Sequence, residues 1–130
     1  TWPVARLQIP RIAASAIVLH GGSGEALAFG PALLAETARI GGPGTAVVSA
    51  HRDTHFAFLK DVVAGDLISI TRDDGLVFTY RVTGTSIVDW NKSGIDRHAS
   101  GFNLVLATCY PFDAITRGSE RYLVHAELVK

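Results

Sequence analysis

The chain has 130 residues, 48% of them hydrophobic and 18% charged, which is enough for one compact domain with one core and too little for two ordinary ones. Its 12 basic and 12 acidic side chains cancel to a formal net charge of zero, so no global field recruits nucleic acid or an anionic membrane surface. The single cysteine excludes an internal disulfide framework but leaves the compartment open. No apolar run reaches the roughly 18 to 20 residues that cross a bilayer. The start Thr1-Trp-Pro-Val4 carries neither an initiator methionine nor a signal-peptide pattern, so a trimmed soluble piece is expected, one domain over residues 1–130, with any N-terminal anchor outside it.

In chain order, Arg6–Pro10 and Ala16–His20 are short β-prone runs bounded by Pro10 and by Gly21-Gly-Ser-Gly24. Leu27–Ile40 reads as a short helix or an irregular covering segment, closed by the Gly41-Gly-Pro-Gly44 turn. Thr45–His51 is a strand candidate, and Phe56–Val63 has apolar residues at helical spacing. Leu67–Thr71 and Val77–Val82 flank a hairpin turn at Asp73-Asp-Gly75. Thr85–Trp90, Asn103–Thr108 and Tyr122–Val129 complete eight strand-like runs. With so little helix between them, the pattern predicts an all-β fold, a closed eight-stranded barrel with one or two short helices.

Chemistry gathers at three strand ends. Ala46-Val-Val-Ser-Ala-His51 ends in histidine, Val105-Leu-Ala-Thr-Cys109 ends in cysteine, and Arg121 stands just before Tyr122-Leu-Val124. In an antiparallel barrel, strand ends distant in sequence meet on one rim. A thiolate is the nucleophilic form of cysteine and is favoured by a nearby cation. Histidine can protonate a leaving amine, and the permanently charged guanidinium of arginine can stabilise an oxyanion. Each residue also has a bland reading: Cys109 as a packed small hydrophobe, His51 as a hydrogen-bonded structural residue, Arg121 as solvated or paired with Glu120. The four-residue spacing of His51 and His55 falls short of a structural zinc site, which needs about four ligands.

The joint pattern resembles the sortase family of cysteine transpeptidases. The residues that carry it are Leu7-Gln-Ile-Pro-Arg-Ile12, Phe29-Gly-Pro31, Gly41-Gly-Pro-Gly-Thr45, Ser49-Ala-His-Arg-Asp-Thr-His-Phe56, Leu59, Gly65-Asp66, Leu106-Ala-Thr-Cys109 and Glu120-Arg-Tyr-Leu-Val124. His-Arg-Asp-Thr with Thr-Cys-Tyr-Pro-Phe some sixty residues later is most similar to class D and E sortases and to the single-sortase type of Gram-negative bacteria, the last being the type expected. Val105 departs from the commoner Thr at the first place of the signature before the cysteine.

The resemblance implies that Cys109 attacks the carbonyl of a scissile bond in an LPxTG-like C-terminal sorting motif. Arg121 would stabilise the oxyanion, with Arg117 the competing arginine. His51 would protonate the leaving amine, and a cell-envelope amine would resolve the thioacyl enzyme. Asp53 and His55 either orient His51 or support its loop. Leu106, Ala107, Thr108, Ala50 and Tyr110 are expected to line the substrate groove, core packing being the alternative for Leu106. No cofactor and no metal are expected, since no acidic cluster matches the calcium site of some sortases. The implied partners are a secreted protein bearing the sorting motif and an amine acceptor, with no nucleic acid, and the enzyme would be a monomer. The implied place is the extracytoplasmic cell envelope, on the inner membrane and facing the periplasm, by way of an N-terminal helix outside this chain. An L,D-transpeptidase or papain-like enzyme also uses Cys and His. Here, however, His51 precedes Cys109 by 58 positions and the cysteine ends a strand, unlike either. A noncatalytic β-barrel binding module is the other alternative.

Overall fold

The computed structural model describes residues 3–20, 31–34, 37–50, 56–89, 94–109 and 120–129, with backbone alone for Pro3 and Cys109. Eight strands run in chain order: β1 (Pro3–Ile9), β2 (Ala14–His20), β3 (Ala32–Leu33), β4 (Gly44–Ala50), β5 (Leu67–Arg72), β6 (Val77–Asp89), β7 (Phe102–Cys109) and β8 (Glu120–Leu128). They close into a barrel in the order β1-β2-β3-β4-β7-β8-β6-β5. Short 3₁₀ helices cover Pro10–Ile12 and Ala57–Asp61. The all-β, closed eight-stranded expectation is met, with its strands distributed differently along the chain.

Two of the expected strands, Val77–Val82 and Thr85–Trp90, fall in one 13-residue β6 that is described to Asp89, Trp90 lying outside the described residues. The chain passes from one to the other through a register shift between Val82 and Gly84 opposite β8. A bulge of this kind bends a strand without ending its pairing, so glycine here marks a bend rather than a turn. The eighth strand is β3, a two-residue bridge inside the segment read as helix or covering chain. Leu33 pairs with His20 on one side and Val48 on the other. The hairpin at Asp73-Asp-Gly75 is present, with Gly75 at φ 87° and its N–H donating to the Arg72 carbonyl.

Period-2 alternation divides the side chains between two apolar layers. Leu7, Ile9, Val18, Val48, Ile68, Ile70, Tyr80, Leu104, Leu106 and Val124 fill the barrel interior. On the opposite face of the β4–β7–β8 sheet, Val47, Val105, Ala107 and Leu123 form a second buried cluster, covered by Leu34, Val88 and Ile95. The parallel pair β4 and β7 is therefore buried on both faces, which is why both strands read as continuous apolar runs.

The connection between β6 and β7 is fastened to the start of β4. Thr45 N–H donates to the Arg97 carbonyl, Thr45 Oγ1 to the Asp96 carbonyl at 2.8 Å, and Gly44 N–H to the Gly101 carbonyl. Gly44 itself has φ 97°, and a Cβ there would press on the Arg97 carbonyl oxygen. Gly44→Ala is expected to cost about 1–3 kcal/mol from backbone strain alone, and more for displacing residues 94–101. The free energy of unfolding in urea is the measurement, with Gly65→Ala as comparison, because Gly65 has similar φ but open space around its Cβ position.

A second tie joins the first 3₁₀ helix to the start of β5. Buried Asp66 accepts from the Arg11 guanidinium and, at 2.9 Å, from the Val63 N–H. The hydrogen bonds from Arg11 hold the Asp66 carboxyl below the ordinary carboxylate range.

Candidate active site

The register of three neighbouring strands assembles the site. β4 and β7 run parallel, with Ala50 beside Thr108. β7 and β8 run antiparallel, with Cys109 opposite Arg121. The last residue of β4, the last residue of β7 and the second residue of β8 therefore meet on one rim of the barrel. Neighbouring strands lie about 4.8 Å apart, so Arg121 is one strand spacing from Cys109. On its other side Arg121 is paired with Val88 of β6.

Thr108 locks this arrangement. Its hydroxyl, 1% exposed, donates a 2.8 Å hydrogen bond to the Ala50 carbonyl. The bond ties β4 to β7 one residue before His51 in one strand and one residue before Cys109 in the other. A buried hydroxyl with its partner in place disfavours any slip of this register.

Arg121 is half-buried, and its Nη1 donates to the Glu120 carbonyl at 3.0 Å. An Arg121–Glu120 ion pair, the expected alternative, is not found among the described residues. One guanidinium nitrogen is anchored to the backbone, which limits where the remaining N–H groups can point.

The residues expected to line the groove separate by face. Leu106 is fully buried in the barrel interior, and Ala50 packs in that interior cluster too. Thr108 spends its hydroxyl on the Ala50 carbonyl. All three are buried, and for Leu106 this is the core packing weighed as the alternative; alternate residues of a strand face opposite ways, and Leu104, Leu106 and Thr108 share one parity. Ala107 lies on the other face, in the cluster with Val105 and Leu123. Sequence reasoning missed Val105, Leu123, Val88 and Ile95 on that face. Counting by twos from Cys109 picks out Val105 and Ala107; Val88 and Ile95 depend on tertiary pairing and carry no local signal. His51, Asp53, His55, Tyr110 and Arg117 lie outside the described residues, as does the Cys109 side chain. Among the described residues no group of three or more His, Cys, Asp or Glu is placed to hold a metal ion, and no helix is long and apolar enough to cross a membrane.

A closed barrel that brings a strand ending in Ala-Thr-Cys beside a strand opening in Glu-Arg defines a class of protein that the comparisons identify. A family model described as Sortase domain matches residues 7–129, and the chain belongs to the sortase family. It is similar to Sortase D of Bacillus subtilis (strain 168), 30% identical over 125 residues that cover 95% of this chain and 62% of the relative. Among solved structures it is similar to Sortase A from Corynebacterium diphtheriae, with TM-score 0.87 and 28% identity over 98% of this chain and 61% of that one. It is also similar to a sortase E mutant from Streptomyces avermitilis, with TM-score 0.81 and 31% identity over 99% and 89% of the two chains. The chain thus spans about 62% of the length of its curated relative. The class D/E likeness expected from the sequence fits these relatives. These relatives lend no support to the Gram-negative type expected.

Proposed function

We propose that this chain is the catalytic domain of a cysteine transpeptidase of the sortase kind, and that Cys109, His51 and Arg121 carry the reaction. The observation that supports it is the register: Cys109 stands opposite Arg121, and Ala50, immediately before His51, stands beside Thr108. The Cys109 thiolate attacks the scissile carbonyl of an LPxTG-like sorting motif, forming a C–S bond, and the Arg121 guanidinium stabilises the oxyanion that develops. The C–N bond breaks as His51 gives its proton to the leaving amine. An amine of the cell envelope then attacks the thioester; its proton passes to His51, the new C–N bond forms, and the C–S bond breaks to restore the thiolate.

In this reading the groove lies on the outer side of the sheet rather than at Leu106 and Thr108, which are buried towards the interior. The partners are a secreted protein bearing the motif and a cell-envelope amine. The enzyme works as a monomer outside the cytoplasm, held at the membrane by a segment beyond this chain.

Mass spectrometry after incubation with LPxTG-like peptides, without an acceptor amine, tests the proposal. The expected result is a mass increase equal to the acyl fragment, located on Cys109 and lost in Cys109→Ala. A wild-type chain that forms no adduct with any peptide of the set, or an adduct that persists in Cys109→Ala, would overturn it.

A further inference from the structure

A histidine that protonates a leaving amine has to come within hydrogen-bond reach of it, so the backbone that carries the histidine needs a fixed point on each side. Before His51 that point is Ala50, held beside Thr108 by strand register and by the Thr108 hydroxyl. After it, the next described residue is Phe56, fully buried and packed edge-on against Phe58 with ring centroids 5.5 Å apart. Phe56 caps the start of the second 3₁₀ helix, and its carbonyl accepts from the Leu59 N–H. The near anchor fixes where the chain leaves β4; the far anchor fixes the direction it must take.

Phe56, Leu59 and Val62 hold the far anchor in the interior cluster that also contains Ala50, but apolar burial is non-directional and leaves a short helix free to turn or slide. Direction comes from hydrogen bonds, which are angular, and Arg11 supplies them. Its Nη2 donates to the carbonyl of Asp61, the last residue of the helix, while Nε and Nη2 take the two carboxylate oxygens of Asp66. Asp66 is itself fixed to the barrel wall: Gly65 N–H donates to the Val82 carbonyl and Val82 N–H to the Asp66 carbonyl, both at 2.8 Å. The segment that presents Arg11 is stiff as well. Pro10 opens the first 3₁₀ helix with its φ locked by the ring, and Ile12 packs against the interior cluster. The helix closes on Ala13, whose φ of 53° is the one left-handed conformation of a non-glycine residue among the described residues. Such a conformation is unfavourable for alanine and persists where the surroundings impose it.

We propose that Arg11 is a positioning residue for the acid step: by tying the end of the second 3₁₀ helix to Asp66 it sets the far end of the segment that carries His51, an inference that rests on the transpeptidase reading above. Arg11 acts through the backbone and takes no part in bond making. Its effect therefore depends on how much the leaving group needs an acid. An amide nitrogen has to receive a proton from His51 as the C–N bond breaks, whereas an aromatic thiol leaves a thioester as the thiolate and needs none. In both cases the Cys109 thiolate attacks the same carbonyl carbon and forms the same C–S bond. The ratio of the two acylation rates thus cancels any change in thiolate content or in binding of the acyl portion, and reports the proton transfer.

The test measures single-turnover acylation of Cys109 by mass spectrometry with two substrates of one LPxTG-like acyl sequence, a peptide and an aryl thioester. Arg11→Ala is expected to lower the peptide rate about 10- to 100-fold, the range for a catalytic group displaced by up to an ångström, and the thioester rate far less. Arg11→Lys replaces the planar fork by a compact ammonium that keeps a donor for Asp66, so its ratio should fall between those of Arg11→Ala and the wild type. It also supplies the measurement if circular dichroism shows that Arg11→Ala does not fold. His51→Ala should show the same selective loss on the peptide, and a larger one. An unchanged ratio in the Arg11 variants beside a lowered one in His51→Ala would overturn this inference and leave the transpeptidase reading standing. An unchanged ratio in His51→Ala would remove His51 as the acid and this inference with it. Acylation of the wild-type chain by neither substrate would remove the transpeptidase reading and this inference together.

Discussion

Arg121→Lys is expected to slow steady-state peptide transfer on the order of 100- to 1000-fold, close to the loss in Arg121→Ala, although the charge is kept. That range is the usual result of removing one oxyanion donor. The geometry gives the reason. Arg121 sits between Val88 and Cys109 in register, with Nη1 tied to the Glu120 carbonyl at 3.0 Å. A planar guanidinium anchored through one nitrogen still presents donors from the others, whereas an ammonium is a compact and more strongly hydrated point charge. If it bonds to the Glu120 carbonyl it has turned away from the substrate; if it turns to the substrate it has lost its anchor. Arg117→Ala is expected to keep most of the activity. Transfer at a near wild-type rate by Arg121→Lys, or an inactive Arg117→Ala, would show that the other arginine does the work.

His51→Ala is expected to abolish transfer at every pH, while His55→Ala lowers it modestly. General acid catalysis by one positioned side chain contributes about 10²- to 10⁴-fold, and the tie between β4 and β7 bears on position 51 more directly than on position 55. Thr108 Oγ1 holds the Ala50 carbonyl one residue before His51, whereas His55 is five residues beyond that anchor. Circular dichroism should be unchanged in both variants. Equal losses with intact spectra would undo the assignment of His51 as the acid and point to a shared role in the loop.

The sequence by itself determined the fold class and the end of β7 at Cys109. Val47 and Val48, or Leu104 and Val105, can all be apolar because β4 and β7 are covered on both faces, and such runs are legible without coordinates. Asp73-Asp-Gly75 declared its turn because glycine accepts the φ of 87° found there. Other features were settled by contacts between residues far apart in the chain. The bulge between Val82 and Gly84 and the two-residue β3 exist because β8, β2 and β4 lie alongside, and nothing local distinguishes a glycine that bends a strand from one that ends it. The face of each groove residue was likewise a tertiary decision. Leu106 and Ala107 are neighbours with similar local chemistry, but the barrel closes over Leu106 and leaves Ala107 beneath Val88 and Ile95. Closure buries one side of a strand against the interior and offers the other to whatever packs outside. That choice depends on which strands stand next to β7, and of its neighbours β8 follows it in the chain while β4 comes three strands earlier.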